Sequence, residues 1–118
     1  MFMRLFLYAE NDLYALDIYE DCVKHIADYI VERDGLKVEP YWKFSDMYVI
    51  EESFKVNIDG DKYQIFLKSI SDSWIQFGYP EVNELLASET GSGEYMKDKL
   101  SMVNLFFDDE ELHLIPKM

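Results

Sequence analysis

Residues 3–12 read MRLFLYAEND, and this stretch decides the fold that the sequence predicts. Its first part, Met3–Ala9, is a short apolar and aromatic run, which is typical of a buried β-strand. The polar residues Glu10, Asn11 and Asp12 then end the strand. An Asn or Asp side chain at such a place begins a helix by accepting a backbone hydrogen bond. The chain is therefore expected to open with a strand that leads directly into a helix.

The first helix is predicted to run from Leu13 to about Asp34, with Gly35 ending it. Apolar side chains recur in this segment at spacings of three and four residues, which places them on one helical face. They are Leu16, Tyr19, Cys22, Val23, Ile26, Tyr29 and Ile30. The opposite face is mainly acidic and supplies secondary candidates for contacts with a basic partner: Asp17, Glu20, Asp21 and Asp28.

The middle of the chain is predicted to form an antiparallel sheet. The segment Leu36–Phe44 has the composition of a strand and is broken by Pro40, which suits an edge strand or a bulge. Two further strands, Met47–Ile58 and Lys62–Ile70, are predicted to pair through a turn at Asp59-Gly60-Asp61. Asp-Gly between alternating apolar runs is a strong hairpin signal.

The last third is predicted to contain a strand at Trp74–Phe77, a short helix at Glu81–Ala87, an amphipathic helix at Tyr95–Phe107 and a short strand at Leu112–Ile115. The expected fold is therefore one α+β domain over residues 1–118. It has a mostly antiparallel sheet of about four to six strands. A long N-terminal helix packs on one face of this sheet, and a second helix lies near the C-terminus.

The composition indicates a folded acidic surface. The chain carries 24 acidic and 11 basic residues, a formal net charge of −13, while 49% of its residues are hydrophobic. Binding to nucleic acid or to an anionic membrane is not expected, since phosphate groups are bound by clustered Lys and Arg. A negative field attracts basic proteins instead. Solubility alone is the alternative explanation of the charge.

The sequence predicts a cytoplasmic protein. Cys22 is the only cysteine, so no intramolecular disulfide can form, which fits a reducing compartment. No stretch approaches the roughly 18 uncharged apolar residues that a membrane span needs. The apolar start of the chain has no long hydrophobic region or small-residue cleavage site after it, so no leader peptide is expected.

The segment Ser69–Met96 contains no Lys or Arg and interleaves carboxylates with large aromatic side chains. Such a surface suits a basic protein, because carboxylates meet Lys and Arg while the rings supply anchoring area. The candidate binding residues are Asp72, Trp74, Tyr79, Glu81, Glu84, Glu89, Glu94 and Tyr95. The alternative is that the rings belong to the core and the acids to a solvated loop.

A second candidate surface is the acidic run Asp108, Asp109, Glu110 and Glu111. Adjacent like charges repel one another and favour an exposed turn. The run can contact a basic partner and even resemble the phosphates of a nucleic acid in the groove of a nuclease. The alternative is a solvated connection with no binding role.

No catalytic, cofactor or metal site is predicted. The phosphate-binding, dinucleotide-binding, nucleophile-elbow and zincin motifs GxxxxGK[ST], GxGxxG, GxSxG and HExxH are all absent from the sequence. The segment Asp59-Gly60-Asp61 is too short for an EF-hand, whose loop spreads its ligands over about 12 residues. Cys22 and His25 lie one helical turn apart, but Cys22 belongs to the apolar stripe, where a buried inert thiol is expected.

The size, the MRLFLYAEND opening, the acidity, the nine tyrosines and the lack of catalytic motifs together resemble a known group of proteins. These are the bacterial immunity proteins of contact-dependent inhibition and other polymorphic toxin systems. The resemblance implies a cytosolic inhibitor that binds a basic toxin domain, often a nuclease, and occludes its active site. It carries no functional residue onto this chain. The protein is expected to be a monomer that forms a heterodimer with this toxin. The alternatives are a small acidic adaptor or regulatory subunit for another basic protein, and an enzyme that uses carboxylates alone.

Overall fold

The structure is a computed structural model that describes residues 1–91 and 95–117. Its elements are, in order, β1 (Phe2–Tyr8), α1 (Asp12–Val23), a 3₁₀ helix (Lys24–Tyr29), β2 (Ile30–Pro40), β3 (Met47–Val56), α2 (Gly60–Ile70), β4 (Ile75–Phe77), β5 (Glu84–Ser88), β6 (Leu100–Phe106) and a second 3₁₀ helix (Asp109–Leu114). Within these residues, the strands form a six-stranded antiparallel sheet in the order β2-β3-β1-β6-β5-β4. The predicted α+β class, antiparallel sheet and opening strand are confirmed.

Strand β1 lies inside the sheet, between β3 and β6. Alternate side chains of a strand point to opposite faces, and Met3, Leu5 and Leu7 are fully buried while the residues between them are half-buried. Buried residues of both α-helices and of both 3₁₀ helices belong to the same core as these three side chains. The helical segments of the described residues therefore cover one face of the sheet, which is called here the covered face.

Helix α1 begins where the sequence predicts and ends much earlier. The Asn11 side chain caps it by accepting a hydrogen bond of 2.8 Å from the Tyr14 backbone N–H. The α-helix ends at Val23, and the predicted extension to Asp34 is wrong, because Ile30–Pro40 pairs with β3. Gly35 lies in β2, at a shift in the pairing register, and does not end a helix.

The predicted hairpin at Asp59-Gly60-Asp61 is also wrong, because this segment begins helix α2. The Asp59 carboxylate accepts a hydrogen bond of 2.9 Å from the Lys62 backbone N–H and so caps the helix. The buried residues are Tyr63, Phe66, Leu67 and Ile70, at helical spacing. Both edges of β3 are already paired, with β1 and β2, so no edge of β3 is left for a hairpin partner.

Three predictions for the last third are wrong. Part of the predicted helix Glu81–Ala87 is β5, part of the predicted helix Tyr95–Phe107 is β6, and the predicted strand Leu112–Ile115 lies mostly in a 3₁₀ helix. No α-helix lies near the C-terminus in the described residues. Strand β6 carries apolar residues on both of its faces, at Leu100, Met102, Val103, Leu105 and Phe106, and such a run also fits a buried helix. The strand predicted at Trp74–Phe77 is confirmed as β4.

Among residues 1–91 and 95–117, no helix has the length and apolar character required to span a bilayer.

Candidate functional site

The face of the sheet opposite the helices is aromatic. In β1 it carries Phe2, Arg4, Phe6 and Tyr8, which alternate with the buried core residues. The Phe2 and Phe106 ring centroids lie 5.8 Å apart, and the Arg4 guanidinium carbon lies 5.6 Å and 5.9 Å from them. An antiparallel sheet usually presents polar side chains to water on its uncovered face. This face, called here the open face, instead presents rings around charged groups.

The connection between β2 and β3 extends the open face at one end. The Tyr41 ring packs edge-on against Phe6, with centroids 5.1 Å apart, and the Phe44 centroid lies 6.0 Å from that of Tyr41. Trp42 is 87% exposed and Phe44 is 50% exposed. Backbone hydrogen bonds hold the connection, including one of 3.1 Å from Ala9 N–H to the Asp46 carbonyl oxygen. Two large rings are therefore presented to solvent on an anchored loop.

A cavity of about 400 Å³ opens between this connection and the end of β5. Its volume lies within the usual range for small binding sites, about 300 to 1,000 Å³. It is called here the aromatic–carboxylate groove, and its walls are Phe6, Tyr8, Tyr41, Phe44, Asp46, Met47, Ser88, Glu89, Thr90, Ser101 and Met102. Its walls combine aromatic and apolar side chains with carboxylate and hydroxyl groups, and the latter are called here its polar side.

The polar side of the groove is organised by Tyr8. Its hydroxyl donates a hydrogen bond of 2.6 Å to Oε1 of Glu89. This bond to a carboxylate is the main cause that raises the pKa of Tyr8, and the nearby charge of Asp46 acts in the same direction. Both carboxylates therefore act on one hydroxyl, and the groove has a negative polar side.

A neighbouring cavity of about 660 Å³ shares Tyr8 and Asp46 with the groove. It adds Glu10, Tyr14 and Lys99 to the walls. Lys99 has a φ of 74°, which is uncommon for a residue other than glycine, and its carbonyl oxygen accepts a hydrogen bond from the Tyr8 backbone. The two cavities together line the end of the sheet where β1 ends and β6 begins.

The aromatic candidates from the base-free segment have different places. The Trp74 ring packs against the core, and its indole N–H lies 3.1 Å from each of two backbone carbonyl oxygens, those of Leu67 and Ser71. The Tyr95 hydroxyl donates to the Ser69 carbonyl oxygen at 3.2 Å, and the Asp72 N–H donates to the Tyr95 carbonyl oxygen. Trp74 thus packs against the core, as the alternative explanation of the aromatic residues predicts, whereas Asp72 and Tyr95 lie on the surface.

The acidic candidates of the same segment lie at opposite ends of the sheet. Glu89 follows β5 and lines the aromatic–carboxylate groove. Glu84 begins β5, accepts a hydrogen bond of 3.1 Å from the Asn104 amide, and neighbours the turn that holds Glu81 and Tyr79. Tyr79 is 97% exposed. Glu94 lies outside the described residues, so the structure brings only Glu89 into the groove.

The acidic run at 108–111 is partly structural. The Asp108 carboxylate caps the second 3₁₀ helix, and Oε1 of Glu111 accepts a hydrogen bond from the Asp108 N–H. The other carboxylate oxygen of Glu111 lies 2.7 Å from the Met1 amino nitrogen. Asp109 and Glu110 are exposed. The run lies near Phe2, at the far end of the sheet from the groove, because β1 runs from Phe2 to Tyr8.

The acidic stripe of the first helix is largely paired. Glu20 binds the Arg33 guanidinium at 2.6 Å and 3.1 Å. Asp21 forms ion pairs with Lys24 and with Lys97, at 2.5 Å and 2.7 Å. Hydrogen bonds from these two lysines lower the pKa of the Asp21 carboxyl to about 2. Asp17 and Asp28 are exposed.

Cys22 is fully buried, and burial raises the pKa of its thiol to about 12, so the thiol is protonated at neutral pH. His25 is exposed on the 3₁₀ helix that follows α1. Across residues 1–91 and 95–117, the His, Cys, Asp and Glu side chains form no group of three or more that could hold a metal ion.

Sequence reasoning missed most of the groove: Phe6, Tyr8, Tyr41, Phe44 and Asp46. Because β1 is apolar at nearly every position, its sequence predicts that the whole strand is buried. Only alternate residues of β1 point to the covered face. The run YWKF at 41–44, next to Ser45-Asp46, is the one available signal, because four consecutive residues with three aromatic rings precede a turn. This run comes close to Glu89 only through the pairing of the strands. Comparison with known proteins finds no family model, curated protein or solved structure that matches this chain.

Proposed function

We propose that this protein binds a basic protein through the open face of its sheet, and that the partner is a cognate toxin domain whose active site it occludes. The observation that carries the proposal is an aromatic sheet face outside the helical layer, with a groove that combines aromatic rings and carboxylates beside the exposed ring of Trp42. In this role the protein acts in the cytoplasm, as a monomer until it meets the toxin.

The exposed rings support a binding role. Aromatic side chains dominate the energetic centres of protein interfaces, since they bury large areas at little cost in conformational entropy. Trp42 and Phe44 are more than one third exposed on a loop held by backbone hydrogen bonds. A partner that covers them removes apolar surface from water without first having to order a disordered segment.

The charge supports a basic partner. The formal net charge of −13 attracts a positively charged protein over distances of about 10 Å at moderate salt. Toxins that cleave nucleic acid carry Lys and Arg around the cleft that binds phosphates. An acidic surface that docks on such a cleft gains fast association, and it blocks the cleft by occupying it.

The first experiment uses the product of the open reading frame adjacent to this gene. If this product arrests growth when expressed alone, co-expression of the protein described here is expected to restore growth, and the two are expected to co-purify. Toxicity without rescue contradicts the toxin-neutralising role. A complex with a neighbouring protein that is not toxic supports the adaptor alternative instead.

The second experiment locates the interface with two matched aromatic substitutions. Trp42→Ala, beside the groove, is expected to weaken partner binding by about tenfold or more. Tyr79→Ala, at the opposite end of the sheet, is expected to change it by less than about threefold. The two side chains are 87% and 97% exposed, so neither change disturbs the core. Equal effects, or a larger effect of Tyr79→Ala, would place the interface elsewhere.

A further inference from the structure

We propose that the aromatic–carboxylate groove is a binding site for one guanidinium group, supplied by an arginine side chain of the basic partner. The inference rests on the proposed function and specifies which side chain the groove receives. A guanidinium fits this combination of walls, because it is planar, stacks on aromatic rings and forms strong hydrogen bonds with carboxylates.

The chain itself holds arginine side chains in this way at two other places on the same sheet. Arg4 lies against the Phe2 ring, and its Nε lies 2.8 Å from a carboxylate oxygen of Glu51. Arg33 lies 5.4 Å from the centroid of Phe54 and forms two hydrogen bonds with Glu52. A ring beside a carboxylate is thus a working arginine site in this fold.

The groove offers the same pair of groups without a guanidinium of its own. Among the described residues, its lining includes Phe6, Tyr41 and Phe44 as rings and Glu89 and Asp46 as carboxylates, but no Arg or Lys. Outside the lining, Lys43 Nζ lies 5.9 Å from the Phe44 ring centroid, so this ring already attracts one cation. The methylene groups of an arginine can lie along the rings while the guanidinium reaches the polar side.

Tyr8 prepares the polar side for a cation. Its hydroxyl occupies Oε1 of Glu89 with one hydrogen bond, which orients the carboxylate. A carboxylate accepts about four hydrogen bonds, so acceptor capacity remains for a guanidinium. Asp46 acts on the same hydroxyl from the other side of β1. A guanidinium that binds Glu89 therefore also lies in the negative field of Asp46.

In the test, the protein is titrated with each of three small probes. Binding is measured by NMR, from the changes in the chemical shifts of the backbone amides. N-acetyl-arginine amide is expected to give saturable shifts around Tyr8, Phe44 and Glu89, with a dissociation constant on the order of 10 mM. N-acetyl-citrulline amide, its neutral isostere, and N-acetyl-lysine amide are expected to bind at least about fivefold more weakly. Equal binding of either probe, or no saturable shift with the arginine probe, overturns the proposal.

A matched pair of substitutions ties the binding to the groove. Glu89→Gln is expected to weaken binding of the arginine probe by about fivefold or more, because the substitution removes the negative charge but keeps the shape of the side chain. Glu81→Gln removes the same charge at the opposite end of the sheet and is expected to leave the probe affinity unchanged. Both side chains are exposed, so both variants are expected to keep the wild-type amide spectrum elsewhere. Equal affinity in the wild type and Glu89→Gln contradicts the assignment.

The probe titration separates this inference from the proposed function, since it needs no partner protein. Rescue from a toxin without binding of the arginine probe overturns the guanidinium site and leaves the immunity role standing. Binding of the probe by a protein that rescues no toxicity overturns the immunity role and keeps the site.

Discussion

The Tyr8 hydroxyl donates a hydrogen bond of 2.6 Å to Oε1 of Glu89, a residue 81 positions later in the chain. The bond crosses β6, which lies between β1 and β5 in the sheet. It joins the end of the first strand to Glu89, which among the described residues of the base-free segment is the one candidate that lines the groove. The bond therefore connects a strand that the sequence predicts with a site that the sequence does not reveal.

Glu89→Gln is expected to lower the pKa of Tyr8 from its raised value toward the ordinary value of 10.0. The negative carboxylate stabilises the neutral hydroxyl that donates to it and opposes formation of the phenolate. The measurement is a pH titration of tyrosine ring carbons by NMR, with Tyr8→Phe to assign the signal. An unchanged pKa in Glu89→Gln would contradict the hydrogen bond in solution.

Arg33→Met is expected to destabilise the fold by about 2 to 4 kcal/mol. Glu52 is only 3% exposed and accepts hydrogen bonds from Arg33 and from the Tyr19 hydroxyl. Loss of Arg33 leaves a buried carboxylate without its cation, although partial exposure of the Arg33 side chain reduces the cost below that of a fully buried pair. The measurement is urea unfolding at neutral pH.

The control for this change is Lys55→Met on the neighbouring strand. Lys55 Nζ lies 4.0 Å from Glu32, and both side chains are well exposed. Surface pairs of this kind contribute about 0 to 1 kcal/mol, so this variant is expected to unfold near the wild-type denaturant concentration. Similar losses in the two variants would show that Arg33 adds nothing beyond a surface charge.

Gly78→Ala is expected to cost more than about 2 kcal/mol of stability, and Gly35→Ala about 1 kcal/mol. Both glycines have positive φ, 134° and 72°. A Cβ at Gly78 would also clash with the Glu81 carbonyl oxygen, whereas a Cβ at Gly35 meets nothing within 4 Å. Thermal unfolding of the two variants measures the difference. A smaller loss of stability in Gly78→Ala than in Gly35→Ala would contradict the tight turn between β4 and β5.

Asp21→Asn is expected to destabilise the protein at pH 6 and to lose this effect near pH 2. Hydrogen bonds from Lys24 and Lys97 lower the folded-state pKa of Asp21 from 3.8 to about 2. A lowered carboxyl pKa contributes stability above the unfolded value, and this contribution is lost as the pH falls from about 4 to about 2. Urea unfolding at both pH values measures it, with Asp17→Asn on the same helix as the charge control. A difference between wild type and Asp21→Asn that does not depend on pH would contradict the ion pairs.

Two predictions from the sequence succeeded because their causes are local. Asn11 caps α1 through a hydrogen bond to a residue three positions later. The apolar run of β1 forms a strand whose alternate residues Met3, Leu5 and Leu7 are buried, as its composition predicts. The same kind of local bond also begins α2 at Asp59. The sequence Asp59-Gly60-Asp61 equally fits a hairpin turn, however, and the apolar residues of Lys62–Ile70 fit the two-residue period of a strand as well as the period of a helix.

The sequence by itself determined the acidic charge, the α+β composition, the opening strand and the start of the first helix, because these follow from residue types and from contacts within a few positions. Only the tertiary structure decided that 30–34 and 100–106 are strands, since their backbone groups pair with β3, β1 and β5. It also decided the candidate site. Tyr8, Asp46 and Glu89 meet only because strand pairing brings distant segments to one end of the sheet, and no local pattern specifies that pairing.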